Sequence, residues 1–304
     1  MNVIGRYKNG NYEVTLFSDG TKIRENDLDF FVPAFAENCD VKITDCCDGG
    51  CAYCYEGCTP SGKHGDILNA KFLDTLHPYT ELAINGNDLS HPDLIPFMHK
   101  MKEKRIVLNM TVNQIHFERH FDTIKKWVDE QLIHGLGISL RKPTEDFVNK
   151  AKQIPNAVIH SINGVLSPDD YEILKDNELK LLILGYKQLR RGVEYYESHE
   201  DNVRELQSWL YNNLEEMLNH FKVVSFDNLA IEQLDVKRLL SDEKWNEFYM
   251  GDDGNYTFYI DMVDGMFAKN SLSMERWPIM DNIDDMFNFL NRRSLRRRNY
   301  DYYL

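Results

Sequence analysis

Six cysteines lie between Cys39 and Cys58 of this 304-residue chain, and none occurs elsewhere. Three of them, Cys47, Cys51 and Cys54, follow a C-x3-C-x2-C spacing in the stretch Cys46-Cys47-Asp48-Gly49-Gly50-Cys51-Ala52-Tyr53-Cys54. Three thiolates on one compact loop can each bind a different iron of a cubane iron–sulfur cluster, leaving the fourth iron without a protein ligand. An open coordination position is what a metal centre needs to bind a substrate or co-substrate. Gly49 and Gly50 allow the tight turns that such a wrap requires, and amides exposed there can hydrogen-bond cluster sulfurs and tune the potential. A disulfide framework would spread its cysteines through the fold to close long loops. A zinc site usually shows two well-separated C-x2-C knuckles, and only Cys51 and Cys54 form one here. Zinc or inert core thiols are the competing readings. Cys46 would give a C-x4-C spacing, so Cys47 is preferred as the ligand; Cys39 and Cys58 read as core residues or redox bystanders.

Hydrophobic periodicity outlines the elements that must hold this loop. Residues 12–18 alternate apolar and polar, Asp19-Gly20 is a turn signal, and 21–24 return, which predicts a hairpin. Residues 41–44 are a short strand candidate leading into the cysteines. Strand candidates at 81–85, 106–112, 135–140, 157–162 and 180–184 then alternate with helix candidates at 69–76, 92–104, 117–132, 144–153 and 168–176. Pro92, Pro168 and Ser167-Pro168 stand where helix starts belong. This alternation predicts an α/β fold with a parallel sheet and helices outside it. Six units are too few for a closed eight-fold barrel, so a partial, TIM-like barrel is expected. Residues 197–220 predict a longer helix, 222–226 another strand and 235–248 a helix. Residues 256–260 and 266–268 read as a hairpin through Asp264-Gly265, and 283–290 as a last helix. The expected division is an N-terminal β-hairpin extension (1–36), a partial barrel (37–226) and a C-terminal α+β extension with a basic tail (227–304).

The C-x3-C-x2-C spacing with aromatic Tyr53 just before its last cysteine resembles the signature of the radical S-adenosylmethionine (SAM) superfamily. In that superfamily the loop follows the first strand of a partial (β/α)6 barrel. The resemblance implies a 4Fe–4S cluster on Cys47, Cys51 and Cys54, with the methionyl group of SAM chelating the open iron. Further segments, over about residues 41–186, are similar to the family's SAM contacts. Asn85-Gly86-Asn87-Asp88 stands where the family has a Gly-Gly-Glu-Pro-like motif for the SAM amino group, with Asn87 in place of the usual glutamate. Thr111-Val112-Asn113-Gln114 is similar to a Thr-Asn-Gly segment. Ser139 sits where a residue often reaches the ribose, and Arg141 is placed to meet a carboxylate bidentately. His160 to Asn163 lie near where the family contacts adenine, and Tyr186 ends the sixth strand. Each taken singly also reads as a turn former. The segment 55–65 resembles radical SAM proteins of bacteria and their phages that have no assigned reaction.

The activity implied is reductive cleavage of SAM to a 5′-deoxyadenosyl radical that abstracts hydrogen from a peptide or small molecule. A reductant such as flavodoxin or ferredoxin would be a partner. Lys187, Arg190 and Arg191 follow the sixth strand and are candidates to hold a carboxylate or phosphate, or else form a solvated run. A formal net charge of −14 opposes binding to nucleic acid and anionic membranes as a whole. No apolar run is long enough to span a bilayer, and residues 1–10 lack the apolar core of a signal peptide, so a cytoplasmic protein is expected. The tail carries Arg292, Arg293, Arg296, Arg297 and Arg298 with Tyr300, Tyr302 and Tyr303. It reads first as a solvated helix end and second as a nucleic-acid contact, which would suit an enzyme modifying a nucleotide or nucleic acid. A non-catalytic, metal-stabilised binding protein is the third reading.

Overall fold

The computed structural model describes residues 2–28 and 30–301, with side chains through Arg292. The side chains of Arg293, Arg296, Arg297, Arg298 and Tyr300, and all of Tyr302 and Tyr303, lie outside the described residues, so most of the basic tail does too. No described helix is long and apolar enough to cross a membrane.

Strands β1 (Val3–Asn9), β2 (Tyr12–Phe17) and β3 (Lys22–Glu25) form an antiparallel sheet in that order. The expected hairpin is β2–β3; β1 adds a strand that the mixed run Val-Ile-Gly-Arg-Tyr-Lys-Asn does not announce. The main sheet is open and has ten strands. Seven of them follow one another in sequence and in space: β4 (Asn38–Lys42), β5 (Glu81–Asn87), β6 (Val107–Asn113), β7 (Gly135–Ser139), β8 (Ala157–Ile162), β9 (Lys180–Leu184) and β10 (Val223–Phe226). All neighbours among them pair in parallel. On the far side of β4, strand β11 (Thr257–Asp261) also pairs in parallel, followed by antiparallel β12 (Met266–Ala268) and β13 (Trp277–Pro278). The parallel set therefore extends beyond six strands, through β10 and through β11 from the C-terminal segment.

The period of two in these strands separates the two faces of the sheet. On β5, Leu82 and Ile84 are buried; on β6, Leu108, Met110 and Val112; on β9, Leu181 and Ile183. These pack with helices α1 (Leu94–Glu103), α2 (Gln114–Arg119), α3 (Phe121–Asp129), α4 (Glu145–Ala151) and α5 (Pro168–Leu174), whose Phe97, Met101, Phe117, Phe147 and Leu174 are fully buried. Each such side chain contributes about 1.5–3 kcal/mol of burial. The alternate residues point the other way, into a cavity. Because all eight parallel strands contribute to the lining of that one cavity, the open sheet must curl around it.

Helix boundaries follow local chemistry. Ser167 and Asp170 form a capping box at α5, and Thr144 caps α4. The expected helix 117–132 is two helices, α2 and α3, separated at His120, which leaves helical backbone angles. The expected helix 197–220 likewise divides at His199 into α6 (Arg191–Ser198) and α7 (Glu200–Met217). Apolar periodicity runs through both breaks, so it could not reveal them. The expected helix 69–76 is a single 3-10 turn, Lys71–Thr75. Residues 228–248 give α8 (Asn228–Leu234), a 3-10 turn and α9 (Asp242–Phe248); the last helix, α10, is Ile283–Asp301.

The small sheet closes the cavity from below. The β2–β3 turn places Ser18, Asp19 and Gly20 in the lining. Lys180 Nζ donates to the Asp19 carbonyl at 2.9 Å and Asn156 Nδ2 to the Ser18 carbonyl at 2.8 Å, both at the N-terminal ends of the parallel strands. Buried Glu37, just before β4, ties the two sheets together by accepting from Arg24 Nε at 2.8 Å and pairing with Lys22 at 3.2 Å.

Candidate cofactor and substrate site

The cavity has a volume of about 1150 Å³, and its wall includes Cys47, Cys51, Cys54 and Cys58. The cysteines lie in the excursion between β4 and the first 3-10 turn. Its base is zipped by Asp45 N to Lys63 O (2.8 Å), Cys47 N to Thr59 O (2.9 Å) and Gly65 N to Ile43 O (2.8 Å). A Cβ on Gly62 would collide with the Asp45 carbonyl, so this close approach requires glycine. Between the zipped strands, Gly50 takes a left-handed φ of 59°, and Cys54 N and Gly57 N close turns onto Cys51 O and Cys54 O.

Three asparagines hold the excursion against the sheet. Asn85 Oδ1 accepts from Ile43 N at 2.7 Å while its Nδ2 donates to Thr44 O at 2.8 Å. Asn87 Nδ2 lies 3.2 Å from both Thr44 O and Cys46 O. The β5–β6 register shifts between Asn85 and Asn87, and Asn87 adopts φ 49°, which re-aims its amide at the loop. Asn113 caps α2 through its Oδ1 and donates its Nδ2 to Cys51 Sγ at 3.1 Å. From the outside, Asp48 accepts from Arg119 at 2.9 Å and from fully buried His116, and its amide donates to Asp88 at 3.2 Å. Arg190 donates to the Glu56 carbonyl and Arg191 to the Cys58 carbonyl at 3.0 Å.

The thiols are free and chemically unequal. A hydrogen bond from the Cys58 thiol, aided by the Cys58 amide and the Arg191 guanidinium, pulls Cys54 below the usual thiol range against desolvation, which favours the thiolate form that binds metal. Burial pushes Cys47 up to about 11, opposed by the Gly49 amide. A metal bound there must displace that proton. Cys39 is a core residue, and Cys46 Sγ donates to Pro60 O at 3.3 Å. Among the described residues no three His, Cys, Asp or Glu side chains converge on a single-ion site. The donor set, part-exposed soft thiols on one cavity wall with amide donors at two of the sulfurs (Gly49 N to Cys47 Sγ at 3.4 Å and Asn113 to Cys51), fits an iron–sulfur cluster.

Of the other residues singled out in the sequence, Tyr53, Asn85, Asn87, Thr111, Asn113, Ser139, His160 and Tyr186 line the same cavity. Tyr53 and Tyr186 hydrogen-bond Leu140 O and Gly192 O. Thr111, Ser139 and His160 make no side-chain hydrogen bond among the described residues. Gly137 leaves the space that the His160 ring occupies, and burial pushes His160 down to about 4, so it is neutral at physiological pH. Gly86, Asp88, Arg141 and Asn163 do not line the cavity. Gly86 faces Met110 and Val112 on the helix side, Asn163 is buried and bonded to Gln233 at 3.0 Å, and Arg141 stands behind Tyr53, 5.8 Å from its ring, with Nη1 buried and unpartnered. Lys187 lines the cavity; Arg190 and Arg191 instead clamp the cysteine segment.

Sequence reasoning missed Asp40, Lys42, Glu56, Asp227 and Tyr259, all cavity residues. Lys42, 2% exposed, pairs with Asp45 at 2.7 Å, Asp261 at 3.2 Å and Glu56 at 3.4 Å. A period of two counted back from Lys42 would have placed Asp40 on its face. No family model matches the chain, and no curated protein is similar to it.

Proposed function

We propose that this protein is a radical SAM enzyme in which Cys47, Cys51 and Cys54 hold a 4Fe–4S cluster at the C-terminal ends of a partial barrel of parallel strands. The observation that carries this reading is the placement of all three free thiols of the C-x3-C-x2-C loop on the wall of one large cavity, on the face where parallel strands present their functional residues. When bound, the cluster would supply the electron that splits a C–S bond of SAM and yields the 5′-deoxyadenosyl radical.

The chain's own groups have definable tasks in this reading. Asn113, through its 3.1 Å contact to Cys51 Sγ, stabilises added negative charge on the sulfur. Asn85 and Asn87 fix the loop rather than offer free donors. Thr111 and Ser139, unpartnered on the wall, are free to bind ribose hydroxyls. Neutral His160 can donate or accept one hydrogen bond without bringing charge. Arg141, behind Tyr53 and outside the cavity lining, supports that ring rather than meeting a ligand. The small sheet beneath the cavity and the zipped excursion above it cover two of its sides and limit the access of water, which a reactive radical requires. Carboxylates at Asp40, Glu56 and Asp227 oppose a polyanion in this cavity, which favours a peptide or small molecule over a nucleic acid.

The test is anaerobic reconstitution with iron and sulfide, then dithionite and SAM, with 5′-deoxyadenosine followed by mass spectrometry. Production by the native protein and none by Cys47→Ala, Cys51→Ala or Cys54→Ala is the expected result. Zinc in place of iron in anaerobically purified protein, or no cluster, would overturn it.

A further inference from the structure

The cavity is larger than one ligand needs. Small-molecule sites typically occupy roughly 300–1,000 Å³, and this one has about 1150 Å³. The wall from β5 to β8 carries the groups assigned above to SAM. The opposite wall, formed by β4, β11 and the segments after β9 and β12, carries a different set: Asp40, Tyr55, Lys187, Tyr259 and Ser271.

Two of these are charges of opposite sign, and neither has an ionic partner among the described residues. Asp40, from β4, keeps its carboxylate open to the cavity and accepts no hydrogen bond among the described residues. The side chain is exposed to the cavity space, and its carboxyl is held above the usual carboxylate range, chiefly by desolvation, with Lys187 opposing the shift. Lys187 Nζ lies 4.2 Å from the centre of the Tyr55 ring and donates to Ser271 Oγ at 3.2 Å, but pairs with no carboxylate. The two feel one another electrostatically yet stand beyond ion-pair distance. The same region shows that the fold can neutralise buried charge where nothing else must bind, because Lys42 has three carboxylates around it. Two opposite charges on one cavity wall, each without an ionic partner among the described residues, offer a zwitterion a counter-charge for both of its own groups.

We infer that the wall of Asp40, Lys187 and Ser271 is the substrate subsite, and that it takes a zwitterion of the α-amino acid type, its ammonium on Asp40 and its carboxylate on Lys187 and Ser271. This rests on the radical SAM reading only for the word substrate; the binding itself requires neither cluster nor SAM. Tyr55 and Tyr259 flank the two charges and offer ring surface to a side chain.

The test uses the full chain without cluster. The twenty L-α-amino acids are titrated singly by isothermal titration calorimetry, and any binder is repeated as its decarboxylated amine and its deaminated acid. At least one amino acid should bind, and each analogue should bind at least tenfold more weakly than the parent. Asp40→Asn should weaken the amino acid and the amine at least tenfold while leaving the deaminated acid little changed. Lys187→Met should do the reverse, weakening the amino acid and the acid but not the amine. Comparison of the analogues on native protein keeps the question open to refutation should a variant fail to fold. Absence of binding by all twenty, or analogues that bind as tightly as the parent, would overturn the subsite. SAM cleavage measured in parallel separates the claims. Cleavage without amino-acid binding refutes the subsite alone, and amino-acid binding by a protein that takes up no cluster on reconstitution refutes the radical SAM reading alone.

Discussion

On the wall formed by β5 and β6, the side-chain amides of Asn85, Asn87 and Asn113 all have protein partners on the cysteine segment. On the wall where Asp40 and Lys187 face the same cavity, the charges have none within ion-pair distance. The three asparagines of the first wall are complete as they stand, and they hold a loop in one shape. The two charges of the second wall lack an ionic partner among the described residues, although Lys187 donates to Ser271. The difference teaches how to read a polar cavity residue: the count of partners it already has separates a residue that positions the machinery from one that meets a ligand. By that measure Asn87, which stands where a ligand-binding glutamate is usual in the family it resembles, is a loop-positioning residue.

The largest expected effect breaks the first wall outright. Replacing Cys47, Cys51 or Cys54 by alanine should abolish iron incorporation on reconstitution, while Cys39→Ala and Cys46→Ala should leave iron content unchanged, as measured by metal and sulfide analysis. Equal loss in all five variants would mean that the thiols matter only for folding.

Next comes the neutralised charge between the walls. Lys42→Met would leave half-buried Glu56 without its cation and Asp261 with Arg276 alone, at 3.3 Å, and should cost about 3 kcal/mol, read from denaturant unfolding. A change below 1 kcal/mol would show that the cluster of carboxylates around Lys42 is solvated. Asn113→Ala should act more gently. Loss of its hydrogen bond to Cys51 Sγ should make the reduced cluster harder to form, shifting its potential down by about 20–60 mV, the one-electron equivalent of roughly 0.5–1.5 kcal/mol. An upward shift measured by redox titration would show that the amide does not act on the cluster.

The smallest effect sharpens the contrast, because it is a gain. Asp40 is raised from 3.8 to about 6 in the folded protein, so the native state holds its proton more tightly than the unfolded chain does. Stability therefore falls as pH rises from about 4 to 6, and the penalty is complete above that. Asp40→Asn should raise the thermal midpoint at pH 7.5 and leave it unchanged at pH 3.5. A destabilised variant at pH 7.5 would mean that Asp40 already has a partner.

What could be read in the sequence followed from how local each signal is. The thiol spacing is contained in eight residues, Cys47 to Cys54, and needed no tertiary information. The strands β5 to β9 were legible because one face packs on helices and imposes a period of two, as in Leu82 and Ile84 or Leu181 and Ile183. The parallel pairing of β11 with β4 was not, because the residues around Asp264-Gly265 satisfy a hairpin pattern whichever strand lies on the outer side. The incomplete wall was hidden for a related reason. Asp40 shares a face with Lys42 in the short run Asn-Cys-Asp-Val-Lys, but two charged residues there read equally as a solvated edge, and its neighbours Lys187, Tyr259 and Ser271 arrive from distant segments. The roles of Asn85 and Asn87 also depended on partners at Ile43, Thr44 and Cys46 that strand-end chemistry alone does not identify.

Mössbauer spectroscopy of protein reconstituted anaerobically with ⁵⁷Fe, recorded before and after SAM is added, addresses the cysteine loop most directly. A cubane held by Cys47, Cys51 and Cys54 should show one iron whose environment changes when SAM binds while the other three do not. Absence of a cubane spectrum, or a cubane with no iron that responds to SAM, would contradict the assignment.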